Sequence, residues 1–206
     1  MYIPDYFQEH DPQRWMALMA ENPLGALITV HAGLPVVNHL PLLCEQESSG
    51  GLRLCGHMAR ANPQWQQLAT GETATVLFQG PHAYVSPSWY GSPGVPTWNY
   101  AVVHLVGKGR LIEDELETEA LVERITAIYE AREPVPWQPQ LSGERRTKLL
   151  GMIVGFEIRV DKIEAKFKLS QNRPVEDQQA VVNHLTAAGT PQSMAVAALM
   201  RPRLKG

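Results

Sequence analysis

Five strand-like segments crowd between Leu24 and Asp114. They are LGALITV (Leu24–Val30), VVNHLPLLC (Val36–Cys44), GLRLCGHM (Gly51–Met58), TATVLFQG (Thr73–Gly80) and WNYAVVHLVGKGRLIED (Trp98–Asp114). The first three are joined only by the turns HAGLP and EQESSGG. Connections this short pair strands antiparallel, because a parallel pair needs a crossover of about a dozen residues or more. VGFEIRVDKIEAKFKLS (Val154–Ser170) adds a strand pair or one bent strand. Strands come early and helices lie between or after them, which is an α+β pattern and not the alternation of a parallel sheet. Six or seven mostly antiparallel strands in this length point to a small β-barrel with peripheral helices.

The helices carry start and stop signals. Asp11 can cap a helix that has Pro12 at its first position and Trp15, Leu18 and Met19 on one face. Asn62 and Pro63 repeat that arrangement before WQQLAT. In ELETEALVERITAIYEAR (Glu115–Arg132), Leu121, Ile125, Ile128 and Tyr129 form an apolar stripe. GERRTKLLGMI reads as a further short helix, and Pro174–Met200 as two, separated by Gly189, Thr190 and Pro191. We expect a single domain over 1–206, with 174–206 as a helical C-terminal extension.

A hydrophobic fraction of 44% with 19% charged residues suits a globular chain. No apolar run approaches the roughly 20 residues of a membrane span, and MYIPDYFQEHDP has neither the basic nor the apolar region of a signal peptide. The expected location is cytoplasmic, with no membrane partner. A net charge of −3 disfavours direct nucleic-acid binding, and the basic cluster RPRLK (Arg201–Lys205) reads as a solvated tail. Cys44 and Cys55 read as small buried hydrophobes.

Several familiar chemistries lack their signatures: there is no GxGxxG, no Walker loop, no GxSxG and no HExxH. His39, His57, His82 and His104 lie on or beside consecutive strands, as satisfied strand residues in preference to a converging metal site, and His39, His57 and His82 are candidates for proton transfer. Three segments are polar where a barrel surface is usually bland. GHMARANPQW places His57, Arg60 and Asn62 at a strand-to-helix junction, where backbone N–H groups and a guanidinium suit a phosphate. Arg60 suits a carboxylate across the turn equally well. EAKFKLSQNR sends Lys166, Lys168 and Ser170 to one face, with Gln171 and Arg173 following. Two lysines on one face repel unless an anion or an acid lies near. GPHAYVSPSWYGSPGVPTWNY (Gly80–Tyr100) concentrates aromatics among four prolines. Trp89, Tyr90 and Trp98 offer flat surfaces, and Ser86, Ser88, Thr97 and Asn99 offer hydrogen bonds, so the stretch reads as a preorganised ligand wall or as an aromatic core under a crossover.

HLPLL (His39–Leu43), GHMARANPQW (Gly56–Trp65), GPHAYVSPSWY (Gly80–Tyr90), VPTWNY (Val95–Tyr100) and EAKFKLSQNR (Glu164–Arg173) together resemble the PaiB-like family of FMN-binding negative transcriptional regulators. The likeness runs over nearly the whole chain. It implies a split β-barrel, the fold of pyridoxamine-phosphate oxidases and flavin reductases, and a homodimer with FMN at the subunit interface. It joins the polar segments into one cofactor site comprising His57, Arg60, Asn62, Ser86, Trp89, Thr97, Trp98, Asn99, Lys168, Ser170 and Gln171. In that reading Arg60 holds the phosphate, Lys168 is a second cation, and the aromatic wall borders the isoalloxazine. No residue stands out as an obligatory catalytic acid or base. A flavin-dependent oxidoreductase and a haem-binding protein of the same superfamily remain open beside the regulator.

Overall fold

The structure is a computed structural model that describes residues 1–48, 50–138 and 142–202. Helix α1 (Pro12–Glu21) leads into β1 (Leu24–His31), β2 (Leu34–Pro41), β3 (Leu43–Gln46) and β4 (Leu52–Ala59). Then come α2 (Gln64–Ala69), β5 (Thr73–Val85), β6 (Thr97–Ile112), α3 (Glu115–Glu130), α4 (Gly143–Leu150), β7 (Ile153–Lys168), α5 (Val175–Ala188) and α6 (Pro191–Met200). The seven strands form one sheet in the order β2-β1-β5-β6-β7-β4-β3. β1 pairs antiparallel with β2 and β5, and β4 with β3 and β7. The α+β class with seven strands is the one expected. Among the described residues no helix is long and apolar enough to cross a membrane.

The chain divides into two compact units, each discontinuous in sequence. The first holds residues 1–22, 78–104 and 164–206. Its core sets Phe78, Phe167 and Leu169 with Leu18 and Met19 of α1 and Val181, Leu185, Val196 and Met200 of α5 and α6. Asp11 caps α1 as expected, its carboxylate accepting from Gln13 N at 2.9 Å. Gly189 ends α5 at φ 65, where a left-handed residue is needed, and Thr190 caps α6.

The second unit holds residues 23–77 and 105–163. Leu27, Leu54, Leu68, Val76, Phe156 and Ile158 are buried in its core. Gln64 is fully buried there, and its amide donates to Leu27 O, Thr29 Oγ1 and Val36 O. Leu121 and Ile125 of α3 pack with Cys55. Cys44 and Cys55 are both free thiols, pushed up to about 12 chiefly by burial, and therefore inert at neutral pH.

Four local expectations need correction. Val36–Cys44 is two strands, not one: β2 ends at Pro41, and Leu42 leaves the ladder to bond Pro23 O and bury its side chain. Asn62 is not the formal cap of α2, which begins at Gln64, but its Oδ1 still accepts from Gln64 N. Ile128 falls off the buried stripe of α3 and is 43% exposed. The strand read as ending at Gly80 runs through Pro81 to Val85, so the first part of the supposed irregular wall is regular. Val154–Ser170 resolves as the single strand β7. Within the basic C-terminal cluster, residues 203–205 lie outside the described residues.

Candidate functional site

In the first unit, the segment between β5 and β6 is clamped by α5. Ser86 Oγ accepts from Ser88 N at 3.2 Å and caps a 3-10 turn over Pro87–Trp89. The Trp89 indole stacks on His184 of α5, with centroids 5.0 Å apart and planes within 5°. Asp177, in the first turn of α5, is buried and accepts from Gly91 N at 2.8 Å, Ser92 N at 3.4 Å and Ser92 Oγ at 2.5 Å. The Ser92 hydroxyl is the main cause that holds this carboxyl below its usual range. Arg173 lies 4.0 Å over the Tyr90 ring and donates to Pro93 O at 3.0 Å. Gly94 sits so close that a side chain there would collide with the Arg173 guanidinium and the Tyr90 ring. Asp177 and His184 were not among the expected residues. An acid in the first turn of a helix looks like ordinary dipole compensation in a sequence.

β6 begins at Thr97, and strand alternation then sends Trp98 outward and Asn99 inward. Trp98 is 52% exposed, with His82 and Tyr84 at its edge, their centroids 5.9 and 6.1 Å away. The Lys168 ammonium donates to the Thr97 hydroxyl and to Trp98 O. Burial holds the Lys168 pKa below its usual value, and the nearby Lys166 charge lowers it further. No carboxylate is among the groups that set it. Lys166 is itself buried, donates to Tyr2 O at 3.1 Å and lies over the Tyr2 and Tyr100 rings. The expected pair of like charges is therefore present.

Asn99 and Ser170 do not join this surface. Both are buried and bonded to each other, and Asn99 Nδ2 also reaches Met200 Sδ at 3.5 Å. Ser170 takes a left-handed φ of 65 where β7 gives way to the turn. Gln171 folds back on that turn, accepting from Leu169 N at 2.6 Å and donating to Phe167 O.

His57, Arg60 and Asn62 lie in the second unit. Arg60 is exposed, and its guanidinium donates Nε to Gly151 O and Nη2 to Ile153 O, both at 2.8 Å. These bonds tie it to the end of α4 and the start of β7 and fix the plane of the fork. Of five N–H donors, three are left. The cleft beside it, about 370 Å³, also carries Glu113 and Glu115, which oppose an anion there. Asn62 serves the start of α2. His57 Nδ1 is buried without a hydrogen-bond partner among the described residues, and burial holds the imidazole below its ordinary pKa. His39 and His57 lie on strands of the second unit, His82 and His104 on strands of the first. Among the described residues no group of three or more His, Cys, Asp or Glu is placed to hold a metal ion.

An exposed indole, a hydroxyl and an ammonium make a donor set that fits an aromatic ligand bearing negative charge, as FMN does. The seven-stranded sheet with its surrounding helices is an α+β fold of the split-barrel class. Solved structures share the fold. The FAD and heme binding protein from Mycobacterium smegmatis superposes with a TM-score of 0.64 at 18% identity, covering 89% of this chain and 80% of that one. The flavocytochrome from Azotobacter vinelandii gives 0.62 at 16% identity, covering 81% and 72%. The protease synthase and sporulation protein PAI 2 of Bacillus subtilis (strain 168) is 39% identical over 210 residues, 100% of this chain and 99% of that one. The family described as "Putative FMN-binding domain" matches residues 1–162, and the chain belongs to that family. FMN, the cofactor expected from the sequence, is the ligand by which the family is described. Lys168, Ser170 and Gln171 lie beyond the matched residues, within the span shared with the Bacillus protein.

Proposed function

We propose that the chain is a homodimeric FMN-binding protein acting as a negative regulator of the PaiB type, with Trp98 bordering the flavin and Lys168 facing its negative charge. The observation that carries this reading is the Lys168 ammonium: partly buried, beside a second lysine, held by Thr97 and the Trp98 carbonyl, and with no carboxylate among the groups that set its pKa. A half-desolvated cation left in this state is stabilised by an anion. Arg60 in the second unit is the other candidate for the phosphate, its plane fixed by two carbonyls. Thr97 and Trp89 support the wall, and Asn99, Ser170 and Gln171 hold the backbone behind it. FMN, when bound, supplies the redox chemistry; the protein binds, orients and shields it. We read the chain as one domain, because β5, β6 and β7 each run through both units.

The regulatory role rests on the resemblance. With a net charge of −3 the chain has no excess of cations to neutralise a phosphate backbone, so in this reading regulation passes through a protein partner or a flavin-linked metabolite. The test is to purify the protein, record its absorption spectrum, identify the released cofactor by mass, and measure the particle size with and without it. The expected result is a flavin spectrum, FMN in the released fraction and a dimer. A haem spectrum, or a colourless protein that takes up no FMN, would overturn the reading.

A further inference from the structure

Helix α3 has two faces with different jobs. Leu121 and Ile125 are buried against Cys55. The adjacent ridge, with Val122 and Thr126 at its centre, opens on a cavity of about 830 Å³ within the second unit. Leu149 and Leu150 of α4, Ile153 of β7 and His57 of β4 form other walls. This volume is that of a pocket for a small organic molecule. The lining is mainly apolar, but its charged groups are of one sign once pairs are removed. Glu119 is neutralised by Arg146. Glu130 accepts from Trp137 N at 2.5 Å and makes no ion pair among the described residues. Glu123 makes no ion pair among the described residues. Trp137, 52% exposed, brings an indole to the same cavity. His57 adds no opposing charge at neutral pH, because burial favours its neutral form. Among the described residues its buried Nδ1 has no hydrogen-bond partner.

We propose that this cavity binds a lipophilic organic cation, with the apolar body against Val122, Leu149 and Ile153 and the positive charge between Glu123 and the Trp137 indole. An apolar chamber alone would accept a hydrophobe of any charge. The unpaired carboxylate and the aromatic face select for a cation, by Coulomb attraction and by the ring quadrupole. An anion such as FMN is disfavoured by the same groups. The site adjoins the Arg60 cleft, with which it shares Leu150 and Ile153, and uses the second unit only.

The experiment is calorimetric titration of the full chain with tetraphenylphosphonium and with tetraphenylborate, which have nearly the same shape and opposite charge. The phosphonium should bind at least about tenfold more tightly than the borate. Glu123→Gln should weaken phosphonium binding by about fivefold, the scale of a partly exposed ion pair, and leave the melting temperature unchanged. Thr126→Trp, which fills the chamber, should abolish binding; the surface variant Glu123→Gln keeps the test decisive if that protein fails to fold. Equal binding of the two ions, or an unaltered affinity in Glu123→Gln, would overturn the charge selection. Competitive displacement of the phosphonium by FMN would overturn the cavity as a separate site, and FMN binding without displacement supports it.

Discussion

Asn99 and Ser170 are bonded to each other in the interior of the first unit, with Asn99 Nδ2 donating to Ser170 Oγ at 2.9 Å and the Ser170 hydroxyl lying 3.2 Å from Asn99 Oδ1. Each residue is hydrogen-bonded to the other. Asn99→Ala and Ser170→Ala should each cost about 1–3 kcal/mol in urea unfolding of the flavin-free protein, the scale of a buried polar group left alone. The double variant should lose less than the sum. Intact stability with lost FMN binding would make them ligand groups instead.

Trp98 behaves differently because it is 52% exposed. Trp98→Leu should leave flavin-free stability within about 0.5 kcal/mol of the parent. It should weaken FMN by about 0.5–1.5 kcal/mol through loss of the aromatic plane, with altered flavin fluorescence. A marked fall in the melting temperature of the flavin-free protein, with fluorescence unchanged, counts against the wall.

Arg60 allows two outcomes to be separated with one pair of ligands. Arg60→Ala removes the bonds to Gly151 and Ile153, so stability should fall by about 1 kcal/mol or more. If the remaining donors meet the phosphate, FMN affinity should drop by about 1.5–3 kcal/mol while riboflavin affinity barely changes. Equal losses for both ligands would assign Arg60 to the α4–β7 junction alone.

Asp177 governs the loop before β6. Asp177→Ala removes the acceptor of Gly91 N, Ser92 N and Ser92 Oγ, and should expose residues 90–94 to limited proteolysis at a rate well above that of the parent. It should also slow FMN association, because the wall is no longer held before binding. Unchanged cleavage would mean that the Arg173–Tyr90 stack suffices.

Acid should destabilise the protein through partly buried imidazoles. Burial holds His57 and His104 below 6.5 in the folded state, while the unfolded chain takes up protons at about that value. Their contribution is therefore fully present above pH 6.5 and is lost as the pH falls through their folded values. Urea midpoints measured across this range should decline on the acid side, and His57→Leu should flatten part of the decline. An NMR titration placing His57 at or above 6.5 would contradict it.

Much of the secondary structure could be read locally. The caps at Asp11 and Thr190 and the left-handed Gly189 depend on side chains a few residues away, so the chain carries them in its order. β2 and β3 could not be separated that way, because the break comes from Leu42 being drawn into the core across from Pro23.

The sequence by itself determined the α+β class, the strand-dense first half and the resemblance that names FMN. Only the tertiary structure decided which groups of the protein each polar side chain meets. Asn99 could face a ligand or Ser170, 71 residues away; Arg60 could face a phosphate or the carbonyls of residues 151 and 153; Lys168 could meet an acid or none. A polar group's partner is set by which distant strand or helix arrives beside it. That arrival follows from burying Leu, Val and Phe side chains across the whole sheet, and no local pattern around the polar residue records it.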